Sequence, residues 1–147
     1  MLKITCLLVC VVAAILTKVS AITEEEKAAF HEAMAPIIAE CATKHEMSAE
    51  DVEDAKATKN AVDIKPCFLA CIFKKNGLID SKGFYDVEKG LEGLKKIVNS
   101  EDFAKFEDVG KKCSKVNEES VSDGDAGCDR AKLIIACAME HKSEMPV

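Results

Sequence analysis

Cysteine is the residue type whose number and spacing in this chain could support specific chemistry. Eight cysteines occur in the 147 residues, and six of them follow residue 21. Successive members of the six are separated by 25, 3, 41, 14 and 8 residues, and they are Cys41, Cys67, Cys71, Cys113, Cys128 and Cys137. An even number of cysteines at such spacings, in a short secreted chain, predicts a disulfide framework.

The closest pair, Cys67 and Cys71, would project in parallel from one helix face, which is a poor geometry for bonding each other. We therefore expect each to reach a different segment, although about 15 pairings of six cysteines remain open. A Cys-x-x-x-Cys pair can also bind zinc, but no second close pair completes a set of four ligands. Disulfides are the favoured interpretation, and we expect no metal and no cofactor.

The first 21 residues have the pattern of a secretory signal. Lys3 gives a positive start, residues 4–16 are apolar, and Val19-Ser20-Ala21 supplies the small residues of a cleavage site. The apolar run is shorter than the roughly 20 residues that span a bilayer, and the alternative is a buried N-terminal helix. Cleavage would leave one extracellular domain, residues 22–147. Losing two lysines changes the net charge from −6 to −8, so we expect no nucleic-acid binding and no membrane insertion.

Helix signals recur along residues 22–147 and strand signals are scarce, which predicts an all-α domain of six short helices. The first helix should begin at Thr23, where Glu26 completes a capping box. Pro36 is expected to kink this helix or to split it in two. A second, weaker helix signal starts at Ser48.

The third helix carries the paired cysteines. Pro66 suits its first turn, residues 67–73 are apolar all round, and Asn76-Gly77 should end it. This pattern predicts a helix that is buried on more than one side. The fourth helix should begin near Asp86 and continue to Val98.

Two glycines lie inside the predicted fourth helix, where each costs up to about 1 kcal/mol against alanine. Gly90 and Gly93 either permit the close approach of a neighbour or are simply tolerated. Ser100 is the predicted cap of a fifth helix, and residues 114–127 read as a loop. The sixth helix should span roughly Cys128 to His141.

The cysteine pattern as a whole resembles that of the insect odorant-binding proteins. One cysteine lies 26 residues before a helical Cys-x-x-x-Cys, a fourth follows some forty residues later, and a Cys-x8-Cys closes the pattern. The resemblance covers residues 22–147. With all six cysteines present, the sequence is similar to the full six-cysteine type of the PBP/GOBP family, and most of all to its fly members. The resemblance implies six helices around an internal apolar cavity. It also implies the pairs Cys41–Cys71, Cys67–Cys128 and Cys113–Cys137.

The resemblance further implies a transport function in olfaction or lipid carriage, with odorants, pheromones or long-chain fatty acids as hydrophobic ligands. A chemosensory receptor is a candidate partner, and a monomer or a weak homodimer is expected. The candidate cavity lining is Phe30, Met34, Phe68, Ile72, Leu78, Phe84, Leu91, Leu94, Phe103, Phe106, Ile135 and Met139. Taken singly, such residues are more often ordinary core, and periodicity does not distinguish a filled core from a hollow one.

The only arginine and the only tyrosine of the sequence are candidate polar anchors for a ligand head group. Arg130 could bind a carboxylate bidentately, while the alternative is an exposed arginine in a helical ion pair with Asp129 or another acid nearby. Tyr85 could donate its hydroxyl to a ligand, or it could lie at the surface.

Three histidines motivate a hypothesis of acid-triggered ligand release, because their charge changes between neutral and mildly acidic pH. They are His31, His45 and His141, and the alternative for each is a solvated helix end. The run Ser122-Asp123-Gly124-Asp125 lacks the alternating ligands and terminal Glu of an EF-hand, so we do not assign it to calcium.

Catalytic patterns are missing from the sequence. It contains no Gly-x-Ser-x-Gly elbow, no His-Glu-x-x-His, and no histidine beside a cysteine. We therefore expect a binding protein rather than an enzyme. The alternative is a secreted interaction protein, such as a seminal or salivary component, that uses the same scaffold without a ligand.

Overall fold

The computed structural model describes residues 22–57 and 63–146, so the predicted signal segment lies outside the described residues. Six α-helices occur in the described part, in agreement with the predicted all-α class. They are α1 (Glu24–Lys44), α2 (Ala49–Ala57), α3 (Pro66–Lys75), α4 (Val87–Leu91), α5 (Ser100–Cys113) and α6 (Cys128–Glu140). Short 3₁₀ turns are Leu94–Lys96, Ser114–Glu118, Gly124–Ala126 and Lys142–Glu144. None of the described helices is long and apolar enough to cross a membrane.

Local sequence signals account for the start of α1. The hydroxyl of Thr23 accepts a hydrogen bond from the Glu26 amide at 3.1 Å, and the Glu26 carboxylate accepts one from the Thr23 amide at 2.8 Å. This is the predicted capping box. Pro36 lies inside α1 without splitting it.

Helix α3 is the centre of the packing. Leu69 and Ala70 face one buried cluster, formed with α5 and α6, whereas Phe68 and Cys71 face a second cluster, formed with α1. The apolar surface all round α3 is therefore used on two sides, as the sequence predicts. Its last turn is followed by Gly77, whose φ of +77° is a left-handed conformation that favours glycine.

Three disulfides connect these helices, in the pairs that the resemblance implies. Cys41–Cys71 joins α1 to α3, Cys67–Cys128 joins α3 to α6, and Cys113–Cys137 joins α5 to α6. The bridged residues are 30, 61 and 24 positions apart. Closing loops of these lengths removes enough unfolded-chain entropy to stabilise the fold by about 4 kcal/mol per bridge.

The fourth and fifth helices differ from their predicted bounds. Helix α4 ends at Leu91, and the chain continues through the 3₁₀ turn Leu94–Lys96 rather than as one helix to Val98. Two glycines within a short segment lower its helix propensity. Helix α5 is capped by Asn99, not Ser100: the Asn99 Oδ1 accepts hydrogen bonds from the amides of the second and third residues that follow it.

The polar run before α6 is a capping loop. The Asp123 Oδ2 accepts from the amide of Cys128 at 2.6 Å, and the Asp129 carboxylate accepts from the amide and hydroxyl of Ser122. Among the described residues, no group of three or more His, Cys, Asp or Glu side chains is placed to hold a metal ion.

The two glycines of the predicted fourth helix should respond oppositely to substitution. A Cβ at Gly90 would lie 2.2 Å from the Leu78 Cδ1 and 2.9 Å from its Cα, whereas a Cβ at Gly93 meets nothing within 4 Å. We expect Gly90→Ala to lower the free energy of unfolding by about 1–3 kcal/mol through overpacking. Gly93→Ala, the matched control, should raise it by up to about 1 kcal/mol. Urea unfolding measures both, and equal effects would contradict the role of the Leu78 contact.

Candidate ligand pocket

An apolar pocket of about 320 Å³ lies between the first half of α1 and the stretch from Leu94 to Phe106, which leads into the middle of α5. Nearly all of its accessible lining is apolar. The lining residues are Ile22, Glu26, Lys27, Phe30, His31, Leu94, Val98 and Phe106. The structure thus brings together three of the predicted lining residues, Phe30, Leu94 and Phe106, from three separate segments.

The first turn of α1 is bound to the start of α5 through one carboxylate. The Glu26 Oε1 accepts from the Asn99 amide at 2.9 Å and from its side-chain nitrogen at 3.4 Å. The Oε2 accepts from the Thr23 amide and from its hydroxyl. These bonds, with those from Thr23 contributing most, hold the pKa of Glu26 below its usual value. Glu26 therefore fixes the distance between two walls of the pocket.

The C-terminal tail returns to the rim of the pocket. The amide of Ile22 donates to the carbonyl of Pro146 at 3.4 Å, and Pro146 is buried. Further back, the Glu144 carboxylate binds the Lys112 ammonium and lies 2.7 Å from the His141 Nδ1. The bonds from these two groups lower the pKa of Glu144, with Lys112 contributing most. The tail is thus tied to α5 before it reaches Ile22.

The other predicted lining residues lie elsewhere. Phe68 and Ile72 belong to the cluster between α1 and α3, while Leu78 and Ile135 pack against the cluster between α3, α5 and α6. The structure therefore uses these four in the packing of the helices.

A separate groove of about 390 Å³ between α4 and α5 holds two more of the twelve, Leu91 and Phe103. Met34 is half-buried, and its sulfur lies 3.5 Å from the side-chain nitrogen Nδ2 of Asn76. Met139 is half-buried in α6. Phe84 is 45% exposed. The twelve candidates are thus distributed over several environments rather than around one cavity.

Arg130 is 3% exposed, so its interpretation as an exposed arginine paired with Asp129 is wrong. Its Nη1 donates to the carbonyls of Val116 and Glu119, and its Nε donates to that of Gly83 at 3.4 Å. These backbone acceptors hold the guanidinium away from the apolar pocket.

Tyr85 is also part of the packing. Its amide and carbonyl bind the side chain of Asn117 at 2.8 and 2.9 Å, and burial raises the pKa of its hydroxyl. The hydroxyl lies near Gly110 of α5, not at the apolar pocket.

The remaining lining of the pocket consists of residues that were not predicted from the sequence to line a cavity. Val98 had a signal, since it is the apolar residue to which the fourth helix was predicted to continue. Ile22, Glu26 and Lys27 had none, because their role depends on the approach of α1 to α5. His31, considered as a pH switch, lies at the pocket, whereas His45 follows the last turn of α1.

Comparison with known proteins gives one finding. The model of the PBP/GOBP family matches residues 23–141, which include all six cysteines of the framework. No curated protein and no solved structure gives a significant match.

Replacing Arg130 should test its structural role. Arg130→Ala leaves three backbone carbonyls without their donor, and we expect the free energy of unfolding to fall by about 3 kcal/mol. Lys132→Ala, at an exposed position of the same helix, is the control and should change it by less than about 0.5 kcal/mol. Chemical denaturation gives both values. Unchanged stability together with lost carboxylate binding would instead support Arg130 as a ligand anchor.

The connection through Glu26 should depend on pH in a defined direction. Because its pKa is lowered on folding, its stabilising contribution is present above the usual value of 4.5 and is lost as pH falls below it. We expect Glu26→Gln to lower the melting temperature at pH 7, with the difference from the wild type shrinking toward pH 3. Glu25→Gln, one residue away, is the control. A difference that disappears already between pH 7 and pH 5.5 would contradict this assignment.

Proposed function

Because the chain belongs to the PBP/GOBP family of insect pheromone- and odorant-binding proteins, we propose that it carries small hydrophobic ligands in the pocket between α1 and α5. Family membership suggests a small-ligand carrier, and the pocket is the observation that supports this location for the ligand. Its walls are formed by Phe30, Leu94, Val98 and Phe106. A concave apolar surface with a few polar groups at its edge is typical of small-molecule sites.

The pocket volume limits the ligand. A water-sized group occupies about 30 Å³ in the liquid, so about 320 Å³ accommodates roughly ten such groups. A methylene is of similar size, which favours chains of about eight to twelve carbons. A long-chain fatty acid would extend beyond this pocket into solvent or toward the neighbouring groove between α4 and α5.

The expected affinity follows from the area that such a ligand would bury. About ten methylenes at roughly 0.8 kcal/mol each give a gross gain of about 8 kcal/mol. Immobilising the ligand and the side chains around it reduces this value. Micromolar binding with broad selectivity is therefore expected, since apolar contact discriminates weakly between chains of similar length.

Secretion is part of the proposal. Three disulfides in the described residues are stable in an oxidising compartment, which agrees with cleavage of a signal segment after Ala21. We place the carrier outside the cell as the single domain of residues 22–147, acting by binding rather than by catalysis.

Two leucine substitutions test the location of the ligand. Leu94→Trp should fill the pocket and weaken displacement of a fluorescent probe by decanal or 1-decanol at least tenfold. Leu91→Trp, in the separate groove, is the matched control and should leave displacement within about twofold. Thermal unfolding of each variant checks that the fold is retained.

Equal losses in both variants would contradict this pocket. The absence of binding to any aliphatic alcohol, aldehyde or acid by the wild type would contradict the carrier function. That result would favour the alternative of an interaction protein with a filled core, as would native protein that yields no bound lipid on solvent extraction.

A further inference from the structure

Most of the polar groups carried by the lining residues of the apolar pocket are hydrogen-bond donors. Although almost none of the accessible wall is polar, four of the residues that line the pocket carry a polar group that could turn toward a ligand head: the Glu26 carboxylate, the Lys27 ammonium, the His31 imidazole and, for Ile22, the backbone nitrogen. The carboxylate is an acceptor, the ammonium and the backbone nitrogen are donors, and the imidazole can donate from a protonated ring nitrogen. Which of them can reach a ligand depends on what each already binds.

The acceptor sites of the Glu26 carboxylate are already occupied. A carboxylate offers about four lone-pair sites. Those of Glu26 receive four donors, namely the amide and hydroxyl of Thr23 and the amide and side-chain nitrogen of Asn99. A ligand head that donates a hydrogen bond would have to displace one of these.

The donors are less constrained. The Lys27 ammonium is paired with Glu24 at 2.8 Å, but the two side chains are 50% and 90% exposed. Such an exposed pair contributes little, so the ammonium can turn toward a ligand at small cost. An ammonium also carries three donors. His31 is exposed beside the Phe30 ring, with ring centroids 6.4 Å apart.

The third donor changes with processing. Ile22 follows Ala21, the residue after which the sequence predicts cleavage. A cleaved chain would carry an ammonium at Ile22, mostly protonated at neutral pH, in place of a neutral amide. One of its three hydrogens would serve the Pro146 carbonyl, as the amide does. Two further donors and a positive charge would then lie at the edge of the pocket.

We propose that Lys27, His31 and the processed amino group of Ile22 form a head-group site that selects carboxylates over alcohols of the same chain length. This inference rests on the proposed function, because it assigns the polar end of the ligand that the pocket would hold. It also gives the head group a location other than Arg130, whose donors bind backbone carbonyls.

The test compares two ligands that differ only in the head. Decanoic acid and 1-decanol are titrated at pH 7.5 against protein that begins at Ile22. Lys27→Gln should weaken the acid about threefold to tenfold and leave the alcohol within twofold, because an ammonium–carboxylate bond is charge-assisted. Lys44→Gln, at the exposed end of the same helix, removes an equal charge outside the pocket and should change neither ligand.

A second arm changes the backbone donor alone. Protein extended by one methionine before Ile22 moves the ammonium away from its position while keeping every side chain. We expect the same selective loss for the acid, and an additive effect when the extension is combined with Lys27→Gln.

The possible outcomes distinguish a failure of the head-group site from a failure of the proposed carrier function. Binding of both ligands without preference in the wild type, or equal losses for acid and alcohol in Lys27→Gln, would overturn the head-group site and leave the carrier function intact. Equal weakening in Lys27→Gln and Lys44→Gln would reduce the effect to net charge and would also overturn it. The absence of binding by either ligand would contradict the carrier function itself.

Discussion

The fold depends on one constraint, the bonding of two cysteines from a single helix to two different helices. Cys67 and Cys71 lie one turn apart on α3, and their partners are in α6 and α1. Helix α3 also contributes side chains to both buried clusters. Two of the three bridges and both buried clusters therefore involve the same ten residues. Helices α1 and α6 keep their places in the structure because each is bonded to α3.

The apolar pocket lies outside the region in which α3 contacts the other helices. The Cys41–Cys71 bridge fixes the second half of α1 against α3, while the first half extends past the core and leaves Phe30 43% exposed. The bond network of Glu26 then holds this half against the start of α5. The pocket thus lies between a covalently fixed scaffold and a helix end that is bonded to Asn99 through Glu26.

Local features of the fold could be predicted from the sequence, because their causes are local. The capping box at Thr23, the proline that opens α3 and the glycine that follows it act within a few residues. The short α4 was not predicted, because the apolar periodicity continues to Val98 beyond the two glycines that lower the helix propensity. The cap of α5 was misplaced by one residue, since both neighbours are good capping residues.

The site was predicted only in part for the same reason. Phe30, Leu94 and Phe106 could be selected as apolar residues. That they line one pocket depends on the hydrogen bond between Glu26 and Asn99, for which the sequence has no recognisable pattern. Arg130 has acceptors that are backbone carbonyls, and these have no sequence signature at all. Charge and spacing alone therefore suggested an ion pair where the fold has a buried donor.

The order of the bridges along the chain has a consequence for biosynthesis. The span from Cys41 to Cys71 overlaps the span from Cys67 to Cys128, so neither loop is nested within the other. For the secreted chain proposed above, once the first 71 residues have been translocated, Cys41 has both its correct partner and a wrong one, while Cys67 must wait for 57 more residues. Vectorial synthesis would thus allow early mispairing of Cys41 with Cys67, which thiol–disulfide exchange would correct once Cys128 is available.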